Sequence, residues 1–141
     1  NKRRELYGLF FAKKAIQQED MAILVEGYAD VISMHQAGVE NVVASSGTSL
    51  TEEQIRLIFR FTDNITLMFD GDAAGVKAAL RGVDLILKEN LNVRIVLLPE
   101  EHDPDTFARA HSSEELREYI ANESQYFLAF KARLLLGEIP W

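Results

Sequence analysis

The sequence has no cysteine among its 141 residues and no long apolar run. Without cysteine, the chain can form neither a disulfide framework nor a thiolate zinc site, so we expect no zinc site within it. Its longest apolar stretches, 21–25 and 95–98, are far shorter than the roughly 20 residues that a membrane-spanning helix needs. These absences predict a protein of the reducing cytoplasm that has no membrane partner.

Charge is unevenly distributed along the chain. The formal net charge is −7, which taken alone argues against nucleic-acid binding, because phosphates are normally contacted by clustered basic side chains. Residues 1–14 are nevertheless basic, with cations at Lys2, Arg3, Arg4, Lys13 and Lys14. The overall sign of the charge therefore does not exclude a face that binds nucleic acid.

Apolar residues make up 48% of the chain, which is enough for the core of one compact domain. Short runs rich in β-branched residues predict four buried strands, at 21–25, 41–44, 65–69 and 93–98. Helical patterns lie between them, at 29–37, 52–61 and 73–89. Strands that alternate with helices in this way indicate an α/β fold with a parallel sheet flanked by helices.

Further helices are predicted on either side of this central pattern. Residues 2–18 have helical character, and beyond Pro99 we expect a polar loop, a helix over 116–121 and a last helix over 124–136. We therefore divide the chain into a basic helical segment (1–20), a central domain (21–110) and a C-terminal helical segment (111–141). The chain opens in basic, helix-compatible sequence without a Met, which is typical of a piece of a longer protein.

Acidic residues follow three of the four predicted strands. Glu26 comes directly after the first strand, Asp70 and Asp72 follow the third, and Asp103 and Asp105 lie in the loop after the fourth. In a parallel sheet the carboxyl ends of the strands face one crevice. For Glu26 and Asp70 to meet there, the first and third strands must be neighbours, which predicts the strand order 2-1-3-4.

Carboxylates gathered in this way favour a bound cation. Two carboxylates about 4 Å apart repel each other by about 4 kcal/mol at an effective dielectric near 20, and a hard divalent cation such as Mg²⁺ or Mn²⁺ relieves that repulsion. Gly71 permits a turn between Asp70 and Asp72, and Gly75 permits a close approach of the next helix. Asp and Gly after a strand are also ordinary turn and N-cap residues, so a structural role stays open for each.

Five motifs follow one another along the chain: a basic segment, a first acidic motif, a loop between strands, and a second and a third acidic motif. They are, respectively, RELYGL (4–9), EGYADV (26–31), ASSGTS (44–49), DGDAAG (70–75) and DPD (103–105). Together these motifs resemble the Toprim domain of bacterial DNA primases. The resemblance implies a Toprim fold of about four parallel strands.

The same resemblance implies a nucleotidyltransferase that makes RNA primers on single-stranded DNA from nucleoside triphosphates at the replication fork. It implies that the catalytic, metal-holding residues are Glu26, Asp70 and Asp72. Further metal ligands or metal-positioning groups would be Asp30, Asp103 and Asp105. Contacts to template or nucleotide would come from Lys2, Arg3, Arg4, Lys13 and Arg81. The family's zinc-binding domain, the rest of its polymerase core and its helicase-binding region lie outside these residues, so we expect the fragment to be inactive alone.

Other functions remain open at this point. Another Toprim enzyme, a topoisomerase or a nuclease, would share the acidic site, although the basic segment and the third acidic motif favour primase. A receiver-like or nucleotide-binding module would share the sheet, but no Lys follows the strand at 93–98 as a receiver requires. Arg81 and Lys13 also have plainer interpretations, as a partner in a helix-face ion pair and as a solvated side chain.

Overall fold

The computed structural model describes residues 5–46, 49–99 and 101–139, and these form a five-stranded sheet between two layers of helices. The strands are β1 (Ala22–Val25), β2 (Val42–Ala44), β3 (Asn64–Asp70), β4 (Asn92–Leu98) and β5 (Gln125–Tyr126). The helices are α1 (Leu9–Glu19), α2 (Tyr28–Gln36), α3 (Glu52–Phe59), α4 (Ala73–Lys88), α5 (Pro104–Ala110), α6 (Ser113–Glu123) and α7 (Phe127–Leu135).

Alternating residues of the strands build a separate core on each face of the sheet. Leu24 and Leu67 point into one core, together with buried residues of α1, α3, α4 and α7. Ile23 and Met68 point into the other, together with residues of α2, α5 and α6. Because both faces are covered, the central strands are buried along nearly their whole length, which explains why they read as continuous apolar runs rather than as alternating ones.

The predicted strand order is confirmed. The sheet order is β2-β1-β3-β4-β5, and β1, β2, β3 and β4 pair in parallel. Each of these four strands lies within one residue of its predicted ends. The carboxyl end of β1 therefore lies beside that of β3, as the proximity of Glu26 and Asp70 requires.

The four predicted parallel strands are confirmed, and a fifth strand, which was not predicted, corrects the expectation of a helix starting at Ser124. Residues Gln125 and Tyr126 pair antiparallel with β4, and α7 begins only at Phe127. The guanidinium of Arg94 on β4 donates a 2.6 Å hydrogen bond to the Tyr126 hydroxyl and lies 4.6 Å from its ring centroid. This cross-strand contact keeps Gln125 and Tyr126 extended, so α7 begins about one turn later than predicted.

The helix predicted over 2–18 is shorter at its start. Residues 1–4 lie outside the described residues, and α1 begins after Gly8, which has φ 85°. The main chain of Tyr7 instead pairs with Ala44 at the edge of β2, with N–H to O distances of 2.9 and 3.1 Å. A left-handed Gly8 is incompatible with a continuous helix, and the exposed edge of β2 supplies hydrogen-bond partners for the extended segment before it.

The polar loop predicted after Pro99 contains a helix, α5. Asp103 caps it by accepting a 2.8 Å hydrogen bond from the N–H of Thr106, and Pro104 occupies its first position. Both are strong signals for a helix N-terminus, and α5 buries Phe107 in the core beneath α2 and α6. Throughout the described part of the chain, no helix is long and apolar enough to cross a membrane.

Candidate functional site

The predicted acidic residues gather at one edge of the sheet. β1 ends at Val25 and β3 ends at Asp70, and these strands are hydrogen-bonded neighbours in parallel register. Glu26 follows β1, and Asp72 follows β3 at the N-terminus of α4. Because parallel strands end at the same edge, three carboxylates from two distant stretches of sequence face one crevice.

Asp70 has the most perturbed carboxyl group of this edge. Its pKa is raised from 3.8 to about 6, mainly by burial and then by the negative charges of its neighbours, which are, in decreasing order of effect, Asp72, Asp103, Glu26 and Asp30. Because four other carboxylates raise its pKa, Asp70 lies at the electrostatic centre of the acidic cluster. Its environment therefore favours a proton or a cation over a bare negative charge.

Glu26 is the second perturbed group. Its side chain reaches solvent, yet the partial burial of its carboxylate is the main cause that raises its pKa, and the charge of Asp72 adds to this effect. The positive charge of Arg81 acts in the opposite direction and lowers the pKa. Glu26 therefore lies between an acidic neighbour and a basic one.

Two of the predicted site residues also have a structural role. Asp72 caps α4, with its Oδ1 accepting a 2.7 Å hydrogen bond from the N–H of Gly75, and Asp103 caps α5 through the N–H of Thr106. The structural interpretation that was left open for acidic residues after strands thus applies to both. A capping carboxylate is held in a fixed orientation at the positive end of a helix, which orients it at this edge.

Asp30 and Asp105 contact each other across the edge. The Oδ1 atom of Asp30 accepts a 2.9 Å hydrogen bond from the N–H of Asp105. Burial is the main cause that raises the pKa of Asp30, against the lowering effect of hydrogen bonds from the Asp105 and Gly27 backbones. The Asp105 carboxylate accepts a hydrogen bond from the Ser33 hydroxyl and forms a 3.1 Å ion pair with Arg109.

The carboxylates influence one another without forming a compact metal-binding group. Among residues 5–46, 49–99 and 101–139, no three Asp, Glu or His side chains are close enough together to hold an ion. The donor set nevertheless fits a hard divalent cation, because it consists of carboxylate oxygens alone. The upward shifts in the pKa values of Asp70 and Glu26 also fit, since a bound cation would relieve the repulsion and desolvation that cause them.

The predicted basic residues occupy different places. Arg81 is exposed on α4 and borders a cavity of about 390 Å³ that Glu26 and Ser45 also line. No ion pair joins Arg81 to another of the described residues, so the helix-face ion pair considered from the sequence is not formed there. Lys13 is exposed on α1, with its Nζ 5.6 Å from the ring centroid of Phe10. Three further predicted contact residues lie outside the described residues, namely Lys2, Arg3 and Arg4.

Sequence reasoning did not find Ser33 or Arg109, which hold Asp105 in place. Arg109 lies four residues after Asp105, a spacing that predicts an ion pair once α5 is recognised as a helix. Asp103 and Thr106, in capping-box spacing around Pro104, were the available signal for that helix. The contact of Ser33 with Asp105 joins α2 to α5, and no local pattern indicates it.

Comparison with known proteins agrees with this architecture. The Toprim-like family model matches residues 23–108, which is more than half of the chain and includes every acidic residue discussed above. The chain belongs to the Toprim-like family. This match confirms the Toprim fold that was expected from the motif order.

Its similar relatives within that family are DNA primases. The DNA primase of Staphylococcus epidermidis is 43% identical over 138 residues, which is 98% of this chain and 23% of that protein. The DNA primase of Halalkalibacterium halodurans is 41% identical over 132 residues, which is 94% of this chain and 22% of that protein. The chain thus spans less than a quarter of these relatives.

Solved structures show the same similarity. A DNA primase domain from Pseudomonas aeruginosa superimposes with a TM-score of 0.87 at 38% identity, over 98% of this chain and 44% of that one. The Aquifex aeolicus primase, with its zinc-binding and RNA polymerase domains, gives a TM-score of 0.87 at 41% identity, over 98% of this chain and 35% of that one. The resemblance to the Toprim core of bacterial primases is confirmed, and a topoisomerase or a nuclease is not favoured.

Proposed function

We propose that this chain is the metal-binding part of a DNA primase, a nucleotidyltransferase that synthesises short RNA primers on single-stranded DNA. The observation that carries the proposal is the position of Glu26, Asp70 and Asp72 at the ends of adjacent parallel strands. Their mutual influence on carboxyl pKa values supports a site for positive charge. The proposed reaction is that of the DNA primases, to which nearly the whole chain is similar.

Glu26, Asp70 and Asp72 hold the divalent cation in this proposal, and Asp103, the N-cap residue of α5, is close enough to raise the pKa of Asp70. Asp105 lies in the first turn of α5. Mg²⁺ and Mn²⁺ both suit such oxygen ligands. A cation bound there supplies charge neutralisation for the triphosphate and for the pyrophosphate leaving group. Asp72 presents its carboxylate in a fixed direction because its Oδ1 is held by the N–H of Gly75.

Arg81 binds a phosphate of the incoming nucleotide in the same proposal. It is exposed beside Glu26 on the wall of the 390 Å³ cavity, and its guanidinium makes no ion pair with the described acidic residues, which favours a phosphate partner. Lys13 and the basic residues Lys2, Arg3 and Arg4 contact the template strand. Neutralising any one of these basic side chains is expected to weaken the binding of nucleotide or template, more strongly at low salt than at high salt.

The partners of the whole enzyme extend this proposal beyond the chain. One similar structure is a primase catalytic domain bound to single-stranded DNA, and another is the RNA polymerase domain of the Mycobacterium tuberculosis primase in complex with double-stranded DNA. We extend DNA binding to this protein, together with nucleoside triphosphates, the RNA primer and a helicase bound through another region. In this proposal, the metal-binding domain comprises residues 21–110. The basic segment 1–20 contacts nucleic acid, and the helical segment 111–141 packs against the domain and supports it.

The metal site is tested by a cation titration of folding stability. The free energy of unfolding is measured by urea denaturation at increasing Mg²⁺ or Mn²⁺, for the wild type and for Asp70→Asn combined with Asp72→Asn. A cation that binds only the folded state adds about 2.7 kcal/mol at about 100 times its Kd. We expect this increment in the wild type and its loss in the double variant.

The matched control removes two carboxylates far from the crevice. Asp63 lies before β3, at the opposite edge of the sheet, and Asp84 is exposed on α4. The combination of Asp63→Asn with Asp84→Asn should keep the cation-dependent increment. If the wild type gains no stability with cation, or if both double variants lose the increment equally, the proposed metal site is wrong.

A further inference from the structure

The carboxylate of Asp30 is used differently from those of its acidic neighbours. Asp30 is the most buried of the six predicted metal residues, with 9% of its surface exposed. Its Oδ2 accepts a 3.2 Å hydrogen bond from the N–H of Gly27, and its Oδ1 accepts a 2.9 Å hydrogen bond from the N–H of Asp105. Both oxygens therefore bind backbone donors, and these donors come from two distant segments of the chain.

The two donors belong to the N-termini of two helices. The first N–H groups of a helix have no partner within it and need an acceptor from elsewhere. In α5, Pro104 has no N–H, Thr106 donates to its own cap Asp103, and Asp105 donates to Asp30. In α2, Asp30 accepts the hydrogen bond from the N–H of the N-cap residue Gly27, which has no side chain to cap the helix in return. One carboxylate thus accepts a hydrogen bond from the N-terminus of each of the two helices.

A second contact joins the same two helices. The hydroxyl of Ser33, one turn further along α2, donates a hydrogen bond to the carboxylate of Asp105. Ser33 is buried like Asp30. Asp30, Ser33 and Asp105 therefore form a polar clamp between α2 and α5, and we call these three residues the α2–α5 clamp.

The clamp connects two parts of the acidic edge, the name we give to the carboxyl ends of β1 and β3 and the start of α5, where Glu26, Asp70, Asp72 and Asp103 lie. Gly27 directly follows Glu26 at the end of β1, and Asp105 lies two positions after Asp103 at the start of α5. Holding the N–H groups of Gly27 and Asp105 on one carboxylate fixes the Glu26 main chain relative to the Asp103 main chain. For Asp30 to bind a cation with either oxygen, a half-buried backbone donor would have to share or lose its acceptor, which is unfavourable.

We infer that Asp30 is a positioning residue that sets the spacing of Glu26 and Asp103 through the α2–α5 clamp, and that it is not a ligand of the metal. Family resemblance left two roles open for Asp30, metal ligand or metal-positioning group; the inference excludes the first and specifies the contacts through which the second acts. It rests on the proposed function only where it concerns the metal. The clamp itself is a property of the metal-free chain and is tested separately.

The experiment combines amide hydrogen exchange with cation affinity in four variants of this chain. Hydrogen exchange at the N–H groups of Gly27 and Asp105 is followed by NMR without metal, and Mn²⁺ affinity is measured by electron paramagnetic resonance of the free ion. The variants are Asp30→Ala, Asp30→Asn, Ser33→Ala and the control Asp63→Asn. Ser33→Ala removes a clamp contact without removing a carboxylate, and Asp63→Asn removes a carboxylate without touching the clamp.

We expect Asp30→Ala to speed exchange at Gly27 and Asp105 by about tenfold or more while the amides of β3 and β4 keep their rates. We expect its Mn²⁺ affinity to fall by about tenfold, as for other residues that orient a metal ligand. Ser33→Ala should lower the affinity in the same direction by less. Asp30→Asn should be intermediate, because its one carbonyl oxygen retains an acceptor for a backbone N–H.

The opposite pattern would overturn the inference. If Asp30→Ala leaves exchange at Gly27 and Asp105 unchanged, the clamp does not hold the two segments. If Asp30→Asn abolishes Mn²⁺ binding while Ser33→Ala binds like the wild type, Asp30 is a ligand after all. If the wild type itself binds no Mn²⁺, the proposed function fails, and the exchange rates alone decide whether Asp30 holds the two segments.

Discussion

Gly75 packs directly against the main chain of Asp70. A Cβ atom at position 75 would lie 1.9 Å from the carbonyl oxygen of Asp70 and 2.8 Å from its carbonyl carbon. The close approach expected of Gly75 from the sequence is therefore confirmed, and its place is now specified. The first turn of α4 rests on the last residue of β3, which brings Asp72 beside Asp70.

The first prediction is that Gly75→Ala is strongly destabilising. No side-chain movement can relieve a contact between Cβ and backbone, so β3 or α4 must shift, and we expect a loss of about 3 kcal/mol or more. Gly27→Ala is the matched control, because its Cβ would meet only the Asp30 Oδ2 atom at 3.5 Å. Urea denaturation of both variants measures the difference. Equal stabilities would contradict the packing of α4 on Asp70.

The second prediction concerns the pH dependence of stability. The raised pKa of Asp70, about 6 in the folded protein against an ordinary 3.8, means that the folded state binds this proton more tightly than the unfolded chain does. In the window between these two values the unfolded chain has lost the proton that the folded state keeps, so stability falls as the pH rises through it. Above that window the unfavourable contribution is constant.

Asp70→Asn removes this contribution. In buffer with a chelator, the variant should therefore be more stable than the wild type above about pH 6, and this advantage should vanish near pH 4. The measurement is urea denaturation across this range. Asp84→Asn, which removes a charge from an exposed position on α4, is the control. If the wild type is at least as stable as Asp70→Asn above pH 6, burial and neighbouring charges do not raise the pKa of Asp70.

Much of the acidic edge was predictable because strand ends are local signals. Runs of β-branched residues located β1 and β3, and a parallel sheet places their carboxyl ends together, so Glu26 and Asp70 followed from the strand order. Asp103 and Asp105 were assigned to a loop, because the polar residues around them outweighed the Pro104 and Thr106 signals for a helix start. The assignment holds for Asp103, which lies just outside α5 as its N-cap residue, and it is wrong for Asp105, which lies in the first turn of α5. The charge of Asp103 still raises the pKa of Asp70, since α5 begins at the same edge.

Other features depend on contacts between distant residues and have no local signature. The extended conformation of Tyr126 is held by Arg94 on β4, and nothing in residues 124–136 distinguishes it from the start of a helix. The same holds for Ser33, whose partner Asp105 lies far along the chain. A sequence pattern reports which face of an element is buried, whereas these contacts arise only when two elements pack together.

The third prediction concerns Arg81 and Glu26. Because the charge of Arg81 lowers the pKa of Glu26 against burial and Asp72, Arg81→Gln should raise the pKa of Glu26 further. The measurement is a pH titration of the Glu26 side-chain carboxyl carbon by NMR. Lys77→Gln removes a charge from an exposed position on the same helix and should leave this pKa nearly unchanged. Equal pKa values in both variants would mean that Arg81 does not face Glu26.

The fourth prediction concerns the C-terminal helix α7. Phe130 has no exposed surface and packs into the core formed with α1, α3 and α4, whereas Leu128 on the same helix is 80% exposed. Phe130→Ala should therefore lower the free energy of unfolding by about 3–5 kcal/mol, because it removes buried contacts and leaves a cavity.

Leu128→Ala should change stability by less than about 0.5 kcal/mol, as expected for an exposed position, and urea denaturation of the two variants makes the comparison. A small effect of Phe130→Ala would show that α7 is only loosely attached to the sheet. A large effect would mean that α7 and the residues matched by the Toprim-like family unfold together. Truncating the chain before α7 should then destabilise the acidic edge as well, although none of the acidic side chains lies on that helix.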